Sequence, residues 1–146
     1  MDSVNFTILG NPKAKQSARF AKRGKFLKSY QPKEVVDAER NLAFDVKSQL
    51  PPNFIPFDEA IGVHVNYYFP PLSSWSKKLI AKLNDGVKIP KITKPDLTDN
   101  LNKMLFDALE GIVYVNDSRI CKMECEKIYS KTPRIELEVY KLEVAK

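Results

Sequence analysis

Apolar and polar residues alternate with a period of two in several stretches, which is the pattern of half-buried β-strands. The first stretch is "VNFTIL", which stops before Gly10 and Pro12. The most regular is "AIGVHVNYYF", whose inward-facing residues are expected to be Ile61, Val63, Val65, Tyr67 and Phe69. Towards the C-terminus the same pattern predicts a brief strand in "IVYV", a turn at "NDS", and longer strands in "RICKMECEKIY" and "RIELEVYKL".

Three other stretches repeat apolar residues every three or four positions, as amphipathic helices do. The first begins at Pro32, ends at the prolines 51 and 52, and has a stripe that is apolar apart from Glu39. The second is "SSWSKKLIAKLNDG", with a serine cap. The third is "KPDLTDNLNKMLFDALEG", residues 94–111, with Gly111 placed to end it. Its apolar stripe consists of Leu101, Met104, Leu105, Ala108 and Leu109.

The order of these elements indicates the fold class. Between the first strand and the first helix, "GNPKAKQSARFAKRGKFLKS" is predicted to be a basic loop or a loose hairpin with Gly24 at its tip. The resulting order βαβααβββ, with antiparallel signals at its end, predicts an α+β fold: a two-layer α/β sandwich in which helices pack on one face of a mixed sheet. No repeat or boundary interrupts it, so residues 1–146 are expected to form a single domain.

Composition and cysteine spacing exclude several classes of protein. No run of eighteen apolar residues and no secretory signal is present, so a soluble, cytoplasmic protein is expected. Cys121 and Cys125 are four positions apart in a predicted strand, which separates their α-carbons by about 13 Å and excludes a disulfide between them. Because no zinc-ligand spacing accompanies them, they are expected to be small core residues beside Met123.

The formal net charge of +6 is concentrated in two blocks. The first contains Lys13, Lys15, Arg19, Lys22, Arg23, Lys25, Lys28 and Lys33, with no acidic residue between Asp2 and Glu34. The second contains Lys77, Lys78, Lys82, Lys88, Lys91 and Lys94. Solvated loops could explain one such block, but two of them favour a polyanionic partner, nucleic acid in particular. Neither block has the apolar helical stripe that a membrane surface would need.

The third helix is unusual in gathering carboxylates in a basic chain. Asp99, Lys103 and Asp107 are four residues apart and would form one polar row, which could be an ordinary surface ladder worth about 0.3–0.5 kcal/mol per pair. Asp96 precedes this row, and Asp117 lies at the later turn. Two carboxylates about 4 Å apart repel by about 4 kcal/mol at an effective dielectric of 20, a cost that a bound cation removes.

The ligands that these carboxylates offer are all oxygens, because His64 is expected on the strand face that points away from the core. Oxygen ligands suit Mg²⁺ or Mn²⁺. A divalent ion beside basic stretches is the combination that a phosphodiesterase needs, with Lys103 placed to steady a non-bridging oxygen.

The run "TKPDLTDNLNKMLFDALEGIVYVNDSRI" resembles the signature of the RusA family of Holliday-junction resolvases. That signature has a lysine and a proline before paired aspartates, then asparagine, leucine, a lysine, "DAL", glycine, a short apolar strand and an acidic turn. Weaker similarity extends to "GNPKAKQSARF" and "SSWSKK".

The resemblance implies a small homodimeric crossover junction endodeoxyribonuclease that acts in DNA recombination and repair. Such an enzyme binds four-way junctions and, with Mg²⁺ or Mn²⁺, nicks two opposed strands. Carried over by position, Asp96, Asp99 and Asp117 are the metal-binding carboxylates and Lys103 is the catalytic lysine. Asp107 is expected to support the helix or its neighbours.

Two positions depart from the family pattern. Family members usually separate the paired aspartates by one residue, whereas Leu97 and Thr98 both intervene here. This spacing keeps the two carboxylates on one side only if the chain already turns helically at Asp96. The acidic turn, which commonly has two aspartates, has Asn116 and Asp117, so Asp117 is the expected ligand.

Basic side chains in the two blocks are expected to contact DNA phosphates. The candidates are Lys13, Lys15, Arg19, Lys22, Arg23, Lys77, Lys78 and Lys94. Phe20 and Phe26 are candidate wedges between bases, whereas Trp75 is expected to anchor the core. Three alternatives remain: a nuclease for flaps, forks or other branched DNA, a non-catalytic basic DNA-binding module, and a family member that folds and dimerises without cutting.

Overall fold

A computed structural model describes residues 1–16, 19–24 and 26–144, with the backbone alone for residues 19–23, 26 and 28. The strands are β1 Ser3–Leu9, β2 Arg19–Arg23, β3 Phe26–Tyr30, β4 Ile61–Phe69, β5 Ile120–Tyr129 and β6 Arg134–Lys141. The helices are α1 Lys33–Gln49, α2 Lys77–Asn84 and α3 Asn102–Leu109, with a π turn at Leu97–Leu101 and a 3-10 turn at Asp117–Arg119.

Four strands form one mixed sheet in the order β1–β6–β4–β5. β6 is antiparallel to both β1 and β4, whereas β4 and β5 are parallel. Side chains that face each other across neighbouring strands share a face, as Val63 does with Val139 and Val65 with Leu137. β2 and β3 form a separate antiparallel hairpin that turns at Gly24, whose φ of 60° suits glycine, and this confirms the hairpin alternative.

One face of the sheet packs against α1 and α3 to form the core. β4 contributes Ile61, Val63, Val65 and Tyr67, all fully buried. The helices contribute Val35, Leu42, Val46, Leu101, Met104, Leu105 and Leu109. On the opposite face His64 is exposed, as its alternating position predicts. The α+β class with helices packed on one face of a mixed sheet is therefore confirmed.

The short helix α2 begins as predicted, with the Leu79 amide donating to the Ser76 hydroxyl at 3.2 Å. It buries none of its own residues, and the preceding Trp75 packs edge-on against Tyr129 with ring centroids 4.6 Å apart. None of the helices in the described part of the chain has the length and apolarity that a membrane crossing requires.

The predicted strand at "IVYV" is wrong. After Leu109 the chain turns through Gly111, whose φ is 81°, and the Leu109 carbonyl accepts from the amides of Ile112 and Val113 at 3.0 Å. Val113 and Tyr114 are fully buried, and the run makes isolated bridges at Tyr114, with Phe57 and Glu110, in place of the predicted strand.

The prediction of core positions for the cysteines is wrong for Cys121, whereas Cys125 does pack against the core. Cys121 is exposed, Cys125 is half-buried, and Met123 is 52% exposed. β5 is the edge strand of the sheet, and its helix-side face is exposed around Met123.

Candidate active site

The acidic helical segment starts later than the predicted residue 94. Asp96 has an extended backbone, with φ −76° and ψ 126°, and the helical turn begins only at Leu97. The Leu101 amide donates to the Asp96 carbonyl at 3.1 Å, a bond that spans five residues instead of the four of an α-helix. The condition that the chain already turns helically at Asp96 is therefore not met, and the wider turn takes up one additional residue.

A buried hydrogen bond anchors the start of α3 to the sheet. The Tyr67 hydroxyl donates to the Asn102 side-chain oxygen at 2.8 Å, and both side chains are buried. Burial raises the pKa of the nearby Cys125 thiol to about 11, although its hydrogen bond with Asn102 acts in the opposite direction. The sequence interpretation missed Asn102, for which the available signal was a polar residue inside the apolar stripe of α3.

Lys127 fixes the backbone that leads to Asp96. Its ammonium donates to the carbonyls of Thr93 and Pro95 at 2.6 and 2.7 Å. Lys127 pairs with Tyr67 in the parallel register of β4 and β5, so it lies in the helix-facing row of β5. The sequence interpretation missed this role of Lys127, for which the available signal was a charged residue among the inward-facing positions of a strand. The side chains of Asp96 and Asp99 themselves are exposed.

Four charged side chains meet beside α3. Lys15 Nζ lies 2.9 Å from both Glu39 Oε1 and Asp107 Oδ2, while Lys103 Nζ lies 3.4 Å from the same Asp107 oxygen. The backbone amide of Lys15 also donates to the Asn100 carbonyl at 3.0 Å. The predicted Lys103–Asp107 pair is thus present, and Asp107 supports its neighbours as expected. No ion pair involves Asp99 within the described residues.

This cluster shifts the pKa of two of its members. Partial burial alone would raise the pKa of Asp107, but the hydrogen bond and charge of Lys15, followed by those of Lys103, outweigh it and leave the pKa below its ordinary value. For Lys15, burial alone would lower the pKa, but Asp107 and Glu39 outweigh it and leave the pKa raised. Each partner therefore favours the charged form of the other.

Asp117 lies beyond the opposite end of α3. Its backbone amide donates to Glu110 Oε1 at 3.1 Å, and the Asn116 side chain caps the 3-10 turn by accepting from the Ser118 amide at 2.9 Å. The buried Tyr114 hydroxyl donates to the Phe106 carbonyl at 2.5 Å. Burial raises the pKa of Tyr114, and the charges of Asp117, Glu110 and Asp107 add to this effect. The sequence interpretation did not single out Glu110.

The three carboxylates predicted to bind metal are not gathered at one point. Asp99 belongs to the first turn of the helical segment, and the partner of Asp117, Glu110, follows its last turn. Glu110 follows Asp99 by eleven residues, and at a rise of about 1.5 Å per residue the two positions are roughly 16 Å apart along the helix axis. In the described ranges no three histidine, cysteine, aspartate or glutamate side chains are close enough to hold one ion. The donors nevertheless have the right chemistry, since all three are exposed carboxylates.

Four of the predicted phosphate-binding residues are exposed on the described surface. These are Lys13, Lys77, Lys78 and Lys94, and none of them belongs to an ion pair within the described residues. Lys15 differs from them because its side chain is only 15% exposed and is held by two carboxylates. The side chains of Arg19, Lys22 and Arg23, and those of the wedge candidates Phe20 and Phe26, lie outside the described residues.

The model of the family described as "Endodeoxyribonuclease RusA" matches residues 10–140, a range that contains the whole acidic helix and the Asp117 turn. The chain belongs to the RusA family. The resemblance found in the acidic motif is thereby confirmed, and membership places this RusA protein among enzymes that hydrolyse DNA. It is also 30% identical over 139 residues to "Uncharacterized protein YqaN" of Bacillus subtilis (strain 168), covering 95% of this chain and 96% of that protein.

Proposed function

We propose that this RusA protein is a metal-dependent, structure-selective endonuclease that resolves four-way DNA junctions as a homodimer, in recombination and repair. The observation that carries the proposal is the family match, which spans Asp96, Asp99, Lys103 and Asp117 together. The exposure of all four side chains supports it, since groups that act on a DNA phosphate must be accessible.

In this proposal Asp96, Asp99 and Asp117 hold Mg²⁺ or Mn²⁺. When bound, the ion would activate water and neutralise negative charge at the phosphorus. Because the carboxylates are apart in the free chain, their mutual repulsion is small there, and the ion together with a DNA phosphate would draw them together. A few carboxylates suffice for Mg²⁺, which keeps water and phosphate oxygens as its other ligands.

Lys103 is the group of this chain that would donate to a non-bridging phosphate oxygen. Its side chain is 58% exposed, and its contact with Asp107 is the longer of the two lysine contacts with that carboxylate, 3.4 Å against 2.9 Å for Lys15. Since Lys15 already satisfies Asp107, Lys103 can turn towards DNA without leaving a half-buried carboxylate unpaired.

DNA binding would use the exposed lysines of the two basic blocks. Lys13, Lys77, Lys78 and Lys94 are the described members, and they would fix the position of the DNA backbone and make binding sensitive to salt. Arg19, Lys22 and Arg23 of the hairpin belong to the same proposal by sequence. Lys15 already contacts the carboxylates of Glu39 and Asp107, which supports a role in joining α1 to α3 more than a contact with a DNA phosphate.

The test compares Asp99→Asn and Asp117→Asn with a matched control, Asp85→Asn, an exposed carboxylate at the end of α2. Each variant is offered a synthetic four-way junction, a flap and plain duplex with Mg²⁺, and both binding and cleavage are measured. We expect the two site variants to lose on the order of 100-fold in junction cleavage while binding persists, and the control to cut normally.

Two other results would reject parts of the proposal. Equal or faster cutting of flaps or forks would reject junction selectivity and leave a branched-DNA nuclease. Junction binding without cleavage by the wild-type protein, combined with no heat on Mg²⁺ titration, would identify a non-catalytic binding module or a member of the family that has lost its activity.

A further inference from the structure

β5 is the outer strand of the sheet, and only part of its free edge is covered. At its C-terminal end the Lys91 amide donates to the Lys127 carbonyl at 3.0 Å and the Tyr129 amide donates to the Ile89 carbonyl at 3.1 Å. Since the register of β5 is regular from Lys122 onward, these bonds show that Met123, Cys125, Lys127 and Tyr129 direct their peptide groups away from β4. In the described part of the chain, no backbone hydrogen bond covers that edge from Cys121 to Cys125.

We propose that this uncovered edge pairs in an antiparallel sense with the same edge of a second copy of the chain, about a twofold axis at Met123. The inference rests on the homodimer of the proposed function and assigns its surface. Such pairing would join the two sheets into one of eight strands.

The length of the free edge fits this register. β5 begins at Ile120, and the covering segment begins at the level of Lys127, so the free stretch is residues 120–126 and its midpoint is Met123. With the axis there, Cys121 of each copy lies at the level of Cys125 of the other, so the paired stretch ends before the covered part at Lys127. The bulge between β4 and β5 lies within this stretch, at Cys121, and the register is regular from Lys122 onward.

The charges on β5 also favour an axis at Met123 over an axis one residue earlier or later. Lys122 and Glu124 point to the same face of the sheet and are both exposed, with side chains 58% and 59% accessible. An axis at Lys122 would place lysine against lysine, and an axis at Glu124 would place glutamate against glutamate. An axis at Met123 places Lys122 of each copy opposite Glu124 of the other.

The exposed side chain of Met123 also fits the pairing. It is 52% exposed on the face where the helices pack, a position at which an apolar side chain would normally be buried. With the axis at Met123, the two methionines are direct neighbours and cover each other. The α-carbons of such a hydrogen-bonded pair lie about 5.5 Å apart, within the range that a disulfide spans.

The test is a charge exchange measured by sedimentation. We expect the wild-type chain to be a dimer, Lys122→Glu and Glu124→Lys each to raise the dimer dissociation constant at least tenfold, and the double exchange Lys122→Glu/Glu124→Lys to restore it. Glu126→Lys, on the same face as Lys122 and Glu124 but outside the paired stretch of residues 121–125, is the control and should change the dissociation constant little. Dimers that survive both single changes, a double exchange that fails to restore them, or a monomeric wild-type chain would overturn the inference.

A cross-link gives a second measurement that does not depend on charge. In a Cys121→Ser/Cys125→Ser background, Met123→Cys should oxidise to a disulfide-linked dimer, whereas Lys122→Cys in that background should not. Absence of the first cross-link, or equal yields from both, would also overturn the inference. Junction cleavage by the wild-type chain is assayed separately, so a nuclease with another interface and a β5-paired dimer that does not cut are distinguishable outcomes.

Discussion

The ammonium of Lys15 lies 2.9 Å from the Asp107 carboxylate, and this contact joins the basic N-terminal segment to the helix that carries Lys103. The same ammonium reaches Glu39 of α1, so one lysine connects three parts of the chain. A lysine in a basic block is thus used to position the acidic helix, even though Lys13 of the same block is exposed to solvent.

Replacing Lys15 with methionine should destabilise the fold and leave the salt dependence of DNA binding unchanged. The change leaves the half-buried Glu39 and Asp107 carboxylates short of a partner, which costs about 1–3 kcal/mol in the free energy of unfolding. Urea unfolding measures this cost. Junction binding from 50 to 200 mM salt gives the slope of log affinity against log salt concentration, which measures the salt dependence.

Lys13→Met is the matched control for that experiment, because Lys13 is two residues away and exposed. It should leave the stability unchanged and reduce the salt slope by about 0.9, the effect of leaving one phosphate without its lysine. If Lys15→Met reduced the slope and spared the stability, Lys15 would bind phosphate and the linking role would be wrong.

The Asp107 cluster should make stability fall in acid. The pKa of Asp107 is lower in the folded chain than its ordinary value of 3.8. The charged carboxylate therefore stabilises the fold at pH values above 3.8, and this contribution is lost as the pH falls through the pKa of the folded state. The raised pKa of Lys15 acts at the alkaline end: its contribution is present below 10.5 and is lost above the folded value. Unfolding of the wild type and Asp107→Asn, compared from pH 6 to below pH 4, should differ less as pH falls. A constant difference would contradict the assignment.

The alternating strands were predictable because burial with a period of two is a local property of the sequence. In β4, Ile61, Val63, Val65 and Tyr67 are all fully buried and His64 is exposed, as the pattern indicates. The acidic helix was predictable for the same reason, since its stripe at Leu101, Met104 and Leu105 is buried.

Contacts between distant residues were not predictable from such patterns. Tyr67 and Asn102 are 35 residues apart, and Lys15 and Asp107 are still farther, so no local period encodes either contact. The apolar run at "IVYV" could not be distinguished from a short buried strand, because a turn that fills the core is equally apolar. The bond from Lys127 to the Pro95 carbonyl, just before the π turn, joins residues 32 apart and also lies outside any local pattern.

Removing the Tyr67 hydroxyl should weaken the attachment of α3 to the sheet. Tyr67→Phe leaves the buried Asn102 oxygen without its donor, and we expect a loss of about 1–3 kcal/mol in the free energy of unfolding. Tyr68→Phe is the control, because Tyr68 lies on the other face and its contact with Glu136 is a long 3.4 Å. It should cost under about 0.5 kcal/mol. Equal losses in the two variants would show that the hydrogen bond to Asn102 contributes no more to the free energy of unfolding than the Tyr68 contact does.

Deleting Thr98 should convert the π turn into an ordinary α-helical turn. The bond from the Leu101 amide to the Asp96 carbonyl would then span four residues, and the deletion would give the one-residue aspartate spacing usual in the family. Because Thr98 is exposed, we expect the fold to persist and junction cleavage to be retained. Circular dichroism and cleavage rates measure both. A folded variant without cleavage would show that the wider turn is needed to place Asp96 or Asp99.

Lys77 and Lys78, in the first turn of α2, should contribute to DNA binding through charge alone. Lysines that neutralise phosphates release counterions, so the double change Lys77→Gln/Lys78→Gln should make the slope of log affinity against log salt shallower by about 0.9 for each phosphate that is no longer neutralised. The affinity for four-way junction and for duplex should fall together, since binding to phosphates carries no structure or sequence information of its own. Lys88→Gln is the matched control, because Lys88 already pairs with Glu126 at 2.9 Å. An unchanged slope in the double variant, or an equal change in the control, would remove α2 from the DNA-binding surface.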